Sequence, residues 1–287
     1  MRIIRSRSDM AGDRQKLHIP YGMLPVAIGL ILAGSAIVYV NVVENYQQDV
    51  QEIREKLDYE KTILHAAGGL YGSDGNFYTY TNSVEAMQNG IDEGNHFFEI
   101  DFIKTPDKGM ICSGDERNFE ISEDEFMHSG IDGEFTPMNI DSLAEFMYNY
   151  PDIYVITDVK NGNYWGCKSI YERYPDLADR FIIQVYHDSE YEEIRGIGFK
   201  YIIFTLYATE EAERDIDVLS QNVKNHDYVG ITFWEDWMYD HVFFGGVKSL
   251  NVPLYVHTVD DYDSIKYDLS QGISAVYTDN TDNEWVR

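Results

Sequence analysis

From Thr62 onward the chain repeats one pattern: a short apolar run rich in β-branched and aromatic residues, a polar turn, then a stretch with helical spacing. Strand-like runs fall at 62–66, 96–103, 153–159, 181–185, 201–205, 228–233, 254–258 and 275–278. Helical stretches separate them, near 82–93, 141–148, 169–174, 189–194, 210–222, 236–250 and 260–270. A hairpin through Asp107-Lys108-Gly109 adds Met110-Ile111-Cys112 beside the second run. Parallel strands need long crossovers, which helices supply, so this alternation predicts a parallel α/β architecture. Eight strands in about 225 residues suit a (β/α)8 TIM barrel. A doubly wound sheet is the alternative, but no G-x-G-x-x-G follows the first strand to favour it.

The chain before Thr62 lies outside that repeat. Residues 22–43 form an uncharged apolar run, long enough at about 1.5 Å per residue to cross the hydrocarbon core of a bilayer. Arg2, Arg5, Arg7, Arg14 and Lys16 precede it against only Asp9 and Asp13. Positive charge stays in the cytoplasm, so residues 1–21 read as a cytoplasmic tail, 22–43 as a single-pass transmembrane helix, and the rest as extracytoplasmic. A cleaved signal peptide is the alternative, since Ala33-Gly34-Ser35-Ala36 supplies small residues, but the run is long for one. Residues 44–61 are polar, with Val50, Ile53 and Leu57 at helical spacing, and read as a helical stalk lifting a 62–287 barrel domain from the membrane. The same spacing would weakly support a coiled-coil dimer, and the oligomeric state stays open.

Charge excludes one class of partner. The chain has 22 Lys and Arg against 50 Asp and Glu, and beyond residue 21 the imbalance is 17 against 48. Nucleic-acid binding needs clustered cations to meet phosphates, so no nucleic-acid partner is expected. Cys112 and Cys167 are the only cysteines, too few for a disulfide scaffold, although an extracytoplasmic location permits a bridge between them.

Polar residues interrupt the apolar runs at their C-terminal ends, where a barrel collects its functional groups. His65 closes the first run and Glu99 with Asp101 the second, both acids on one face because strand side chains alternate. Asp158 and Lys160 close the third, Gln184 and Tyr186 the fourth, Trp234 the sixth, His257 the seventh and Asp279 the eighth. Adjacent carboxylates are costly to bury unless a cation or strong donors neutralise them, and oxygen-only ligands suit a hard divalent ion such as Ca²⁺ or Mg²⁺. Surface acids on a half-exposed edge strand are the plain alternative.

Between Thr62 and about Thr281 the chain resembles the glycerophosphodiester phosphodiesterase family, of the barrel superfamily that includes bacterial phosphatidylinositol-specific phospholipases. The family's His-Arg-Gly strand end corresponds to His65-Ala66-Ala67-Gly68, its Asn-Thr helix start to Asn82-Ser83, its Glu-x-Asp to Glu99-Ile100-Asp101 and its Glu-x-Lys to Asp158-Val159-Lys160. The closing elements correspond to Thr258-Val259-Asp260 and to Gly272 through Thr278-Asp279. Ala66 stands where the family has a phosphate-contacting Arg, and Gly114 where it has its second catalytic His.

The resemblance implies metal-assisted hydrolysis of a glycerophosphodiester or another phospholipid-derived substrate. It places His65, Lys160 and, as a substitute acid, Asp115 or Glu116 in catalysis. Glu99, Asp101 and Asp158 would hold Ca²⁺ or Mg²⁺, and Asn82, Gln184, Trp234 and His257 would surround the substrate. A non-hydrolysing binder of phosphodiesters or glycans, or a structural partner in an envelope complex, are the alternatives.

Overall fold

The computed structural model describes residues 44–282. The 22–43 run lies outside them, and among the described residues no helix is long and apolar enough to cross a membrane. Among the described residues, those from Tyr46 onward form one compact unit.

Eight parallel strands close into a barrel: β1 (Thr62–Leu64), β4 (Phe97–Lys104), β6 (Tyr154–Val159), β7 (Phe181–Val185), β8 (Tyr201–Thr205), β9 (Gly230–Trp234), β10 (Leu254–His257) and β11 (Ala275–Thr278). Closure is made by β1, which pairs with β11 on one side and with β4 on the other, Leu64 opposite Phe98. Two hairpins decorate the rim: β2 (Leu70–Tyr71) with β3 (Phe77–Tyr78), and β5 (Met110–Cys112), which runs antiparallel to the end of β4 as the Asp107-Lys108-Gly109 turn predicts.

Helices α2 (Val84–Asp92), α4 (Ile140–Asn149), α5 (Asn163–Arg173), α6 (Glu190–Ile197), α7 (Ile216–Asn225), α8 (His241–Lys248) and α9 (Tyr262–Ser270) follow the strands, and α3 (Glu123–Ser129) sits in the excursion after β5. Side-chain oxygens open all of these but α5 and α6. Ser83 accepts from Ala86 N–H at α2, Asn139 from Ser142 N–H at α4, and Asp240 from Val242 N–H at α8. The stretches 210–222 and 236–250, which read as single helices in the sequence, each divide into a 3-10 turn and a shorter α-helix. Asp215 and Asp240 cap the second piece in each case, and a cap interrupts the helix it starts.

Alternation along the strands sorts side chains into two cores. Phe98, Ile100 and Phe102 face outward to the helices, while Phe97 points into the barrel with Ile63, Ile156, Ile182, Ile203 and Tyr255. A helix at residues 44–60, α1, lays Val50, Ile53 and Leu57 on this inner cluster, each no more than 2% exposed. The sequence predicts this helix but gives it the role of a free stalk. Its apolar stripe instead seals the N-terminal end of the barrel, helped by Arg54 donating to the Tyr228 carbonyl and Lys56 to the Tyr154 hydroxyl at 2.6 Å. Cys112 and Cys167 are buried and unpaired, the latter donating to Asn163 Oδ1 on its own helix.

Candidate active site

The inward face of β4 changes character along its length. Phe97 belongs to the apolar floor, and the next inward positions, Glu99 and Asp101, are 3% and 1% exposed near the other end. Register places Asp101 directly beside Asp158 of β6. Glu99, Asp101 and Asp158 each offer a carboxylate oxygen within 4.8 Å of the others.

Donors gather around these acids. The Lys160 ammonium lies 2.8 Å from Asp158 Oδ2 and 2.5 Å from Asp101 Oδ1. Among the described residues, Lys160 therefore bridges two of the three acids and leaves Glu99 without a lysine of its own. The hydroxyls of Tyr186 and Tyr207 both donate to Asp158, the second at 2.7 Å. Glu99 Oε2 accepts from the Ala66 N–H at 2.8 Å. Across the mouth, His65 Nδ1 pairs with Asp279 Oδ1 at 2.9 Å, which orients the imidazole and leaves Nε2 as the ring atom able to exchange a proton.

The electrostatics show which acids are neutralised and which are not. Burial would raise Asp158, but Lys160 and the two tyrosine hydroxyls overcome it and hold this carboxyl below the usual range. Burial and the neighbouring Asp101 push Glu99 up to about 8, and burial likewise raises Asp101. Burial alone would depress His65, yet Asp279 and then Glu99 lift it to about 9. Three buried carboxylates therefore face one lysine, and the deficit of positive charge sits at Glu99 and Asp101. Three buried carboxylates whose oxygens lie within 4.8 Å of one another, an all-oxygen donor set, fit a hard divalent cation.

The loop between β3 and α2 completes the site. Tyr80 lies against His65, ring centroids 5.1 Å apart, with Lys160 Nζ 5.8 Å from its ring centre. Burial, then Asp101, pushes the Tyr80 phenol up to about 12. A side chain built on Gly114 would collide with the Tyr80 hydroxyl and ring.

Three solved structures share this architecture. A glycerophosphodiester phosphodiesterase from Parabacteroides distasonis superposes with a TM-score of 0.62 at 16% identity, over 79% of this chain and 96% of that one. One from Thermotoga maritima gives 0.58 at 18% identity, over 77% and 95%. A phosphodiesterase from Oleispira antarctica, in complex with the product sn-glycerol-3-phosphate, gives 0.60 at 13% identity, over 79% and 95%. The fold is that of the glycerophosphodiester phosphodiesterases. No family model matches the sequence, and no curated protein matches it.

On this phosphodiesterase fold, the residues singled out in the sequence divide into three groups. His65, Glu99, Asp101, Asp158 and Lys160 converge. Trp234 and His257 form a wall beside them, rings stacked 4.3 Å apart at 6°, with Tyr207 leaning on both. Trp234 is 45% exposed, whereas His257 Nε2 is buried without a hydrogen bond among the described residues, and burial followed by His65 depresses that imidazole to about 3.

Asn82, Gln184 and Asp115 do not do what the sequence suggests. Asn82 is fully buried and spends both amide ends on Asp101, accepting from its N–H at 3.0 Å and donating to its carboxylate at 2.8 Å, so it positions an acid rather than meeting substrate. Gln184 is 3% exposed inside the barrel wall, its oxygen taken by the Thr205 hydroxyl. The carboxyl of Asp115 is held below its usual range by Arg117, which grips it through the guanidinium and the backbone N–H, so it is a poor proton donor. Sequence reasoning passed over Tyr80 and Tyr207. The latter stands two residues past the end of β8, a position the strand-end rule could have found, whereas Tyr80 lies mid-loop with no such signal.

Proposed function

We propose that the protein hydrolyses a glycerol phosphodiester, such as a lipid headgroup or an envelope polymer, at the C-terminal mouth of its barrel. One observation carries this: an oriented His65–Asp279 pair stands beside three buried, incompletely neutralised carboxylates. A proton-transfer group next to a cation-seeking acid cluster is what diester hydrolysis needs.

Glu99, Asp101 and Asp158 are the residues that would hold a divalent cation, and when bound such an ion supplies Lewis-acid polarisation of the phosphodiester. His65, held by Asp279, takes the proton of the attacking hydroxyl or water from its neutral form, which becomes available once the Glu99 and Asp101 charge that raises it is neutralised. Lys160 offers positive charge to the phosphoryl oxygens. The Trp234–His257 wall gives the departing alcohol an apolar face, with a neutral ring nitrogen in it for a hydroxyl. The complex of the Oleispira antarctica phosphodiesterase with sn-glycerol-3-phosphate supports a glycerophosphodiester as the substrate class.

Turnover of glycerophosphocholine by the purified protein, with and without Ca²⁺ or Mg²⁺, tests the proposal. Cation-dependent release of choline or glycerol that Glu99→Gln abolishes supports it; no release under any condition argues against it. One observation favours a non-hydrolysing binder: Lys160 already pairs with two of the three acids, and residue 114 carries no side chain. In that case the same protein would bind sn-glycerol-3-phosphate without cleaving any diester.

The proposed location is the outer face of the cytoplasmic membrane, with residues 22–43 as the anchor. The uncharged run behind a basic tail supports it. Protease added to intact cells should remove the domain, and complete protection would reverse the topology.

A further inference from the structure

We propose that Tyr80 is the proton donor to the leaving oxygen, taking the place that a side chain on residue 114 would otherwise occupy. This rests on the phosphodiesterase assignment and concerns the same site.

Geometry carries the assignment. The hydroxyl, Cζ and Cε1 of Tyr80 are the atoms that a Cβ on Gly114 would strike, so the phenol fills the volume in front of that glycine. Its ring meets His65 on one side and approaches the Lys160 ammonium on another, which puts the hydroxyl among the groups that would surround a phosphoryl centre. Tyr80 is 42% exposed and, with Ser113, Gly114 and Asn118, lines a cavity of about 790 Å³ that lies beside the acid cluster without including it, so the residue has open space on that side.

The backbone is arranged to hold it there. Tyr80 has φ 62°, and Asn82, Ala66 and Ala67 on the same two loops have φ 49°, 47° and 70°. Non-glycine residues enter this region only where surroundings force them, and such strain gathers at functional sites. Asn82 N–H bonds the Ala66 carbonyl, and the Asn82 amide clamps Asp101, so the loop bearing Tyr80 is tied directly to the acid cluster.

A phenol is neutral and protonated throughout the neutral range, so it can give a proton where the ionised Asp115 cannot. As the new P–O bond forms, His65 in its neutral form takes the nucleophile's proton and becomes the imidazolium. The bond to the departing alcohol breaks with its electron pair going to that oxygen, which receives the Tyr80 proton. The His65 imidazolium then returns its proton to the tyrosinate, through solvent or directly, and both groups end as they began.

A donor to the leaving group matters only when that group leaves poorly. Wild type, Tyr80→Phe and Tyr80→His are compared on glycerophosphocholine and on bis(p-nitrophenyl) phosphate, with Mg²⁺ or Ca²⁺, after their melting temperatures are matched. Tyr80→Phe should lose about 10²-fold or more in kcat/KM on glycerophosphocholine but less than about threefold on the nitrophenyl ester, whose phenolate leaves unprotonated. Tyr80→His, which keeps a donor, should recover part of the loss. Should Tyr80→Phe not fold, Tyr80→His against Tyr80→Gln reads the same split. Equal activity of wild type and Tyr80→Phe, or an equal loss on both substrates, overturns the donor role alone. A wild type that cleaves neither ester overturns the phosphodiesterase assignment and the donor role with it.

Discussion

The ring and hydroxyl of Tyr80 fill the space that any side chain on residue 114 would enter. Gly114 is not among the positive-φ glycines, so its backbone would accept another residue and the obstacle is volume alone. Gly114→His by itself should therefore destabilise the fold by about 1–3 kcal/mol through overpacking. Coupling it with Tyr80→Gly should return most of that loss, because the two residues share one space. Urea unfolding of the two single variants and the pair checks this; strictly additive effects would show that they do not compete.

Lys160 pairs with Asp101 and Asp158, so on the proposed function it would compete with a divalent cation for them. Lys160→Met should raise the cation's stabilising effect while lowering turnover, since it frees two carboxylates yet removes a phosphate-facing charge. Glu99→Gln should lower that effect. Thermal shifts with Ca²⁺ or Mg²⁺ in all three proteins decide the matter, and identical shifts would place any bound ion elsewhere.

Unneutralised acids should also show in the pH dependence of stability. Glu99 rises on folding from an ordinary 4.5 to about 8, and His65 from 6.5 to about 9. Groups raised on folding stabilise fully below their unfolded values and lose that contribution as pH climbs through the folded ones. In EDTA the melting temperature should therefore decline between about pH 5 and 9. Asp268, lifted to about 7 by burial and then by Glu235, adds to the lower part of that decline, but nothing ties it to the acid cluster. Glu99→Gln should flatten the decline between about pH 5 and 8, because it removes one titrating acid, and soften it up to about pH 9, because it lowers the field on His65. Parallel curves for wild type and Glu99→Gln would contradict the proposed charge deficit.

Much of this was legible in the sequence because the barrel writes its chemistry at fixed places. Strand periodicity gave Glu99 and Asp101 a common inward face, and register then set Asp158 beside Asp101. What the sequence could not show was how polar side chains are spent. Asn82 and Gln184 look available from their positions, yet each is consumed by a neighbour distant in sequence, Asp101 and Thr205. Asp115 was misjudged for the opposite reason: its partner, Arg117, is only two residues away, but nothing in a pattern says which donor a carboxylate chooses. The apolar stripe of α1 carried no mark of its destination, because Val50, Ile53 and Leu57 suit a barrel floor as well as another helix. Tyr80 was invisible because a loop has no periodicity to aim a side chain.

The most direct test of the proposed function is kcat/KM for glycerophosphocholine, with saturating Mg²⁺ or Ca²⁺, in wild type and His65→Ala. If His65 transfers the proton, its removal should cost about 10²- to 10⁴-fold while the melting temperature changes little, since the side chain is partly exposed at the mouth. Wild type without measurable cation-dependent turnover, or His65→Ala as active as wild type, would contradict it.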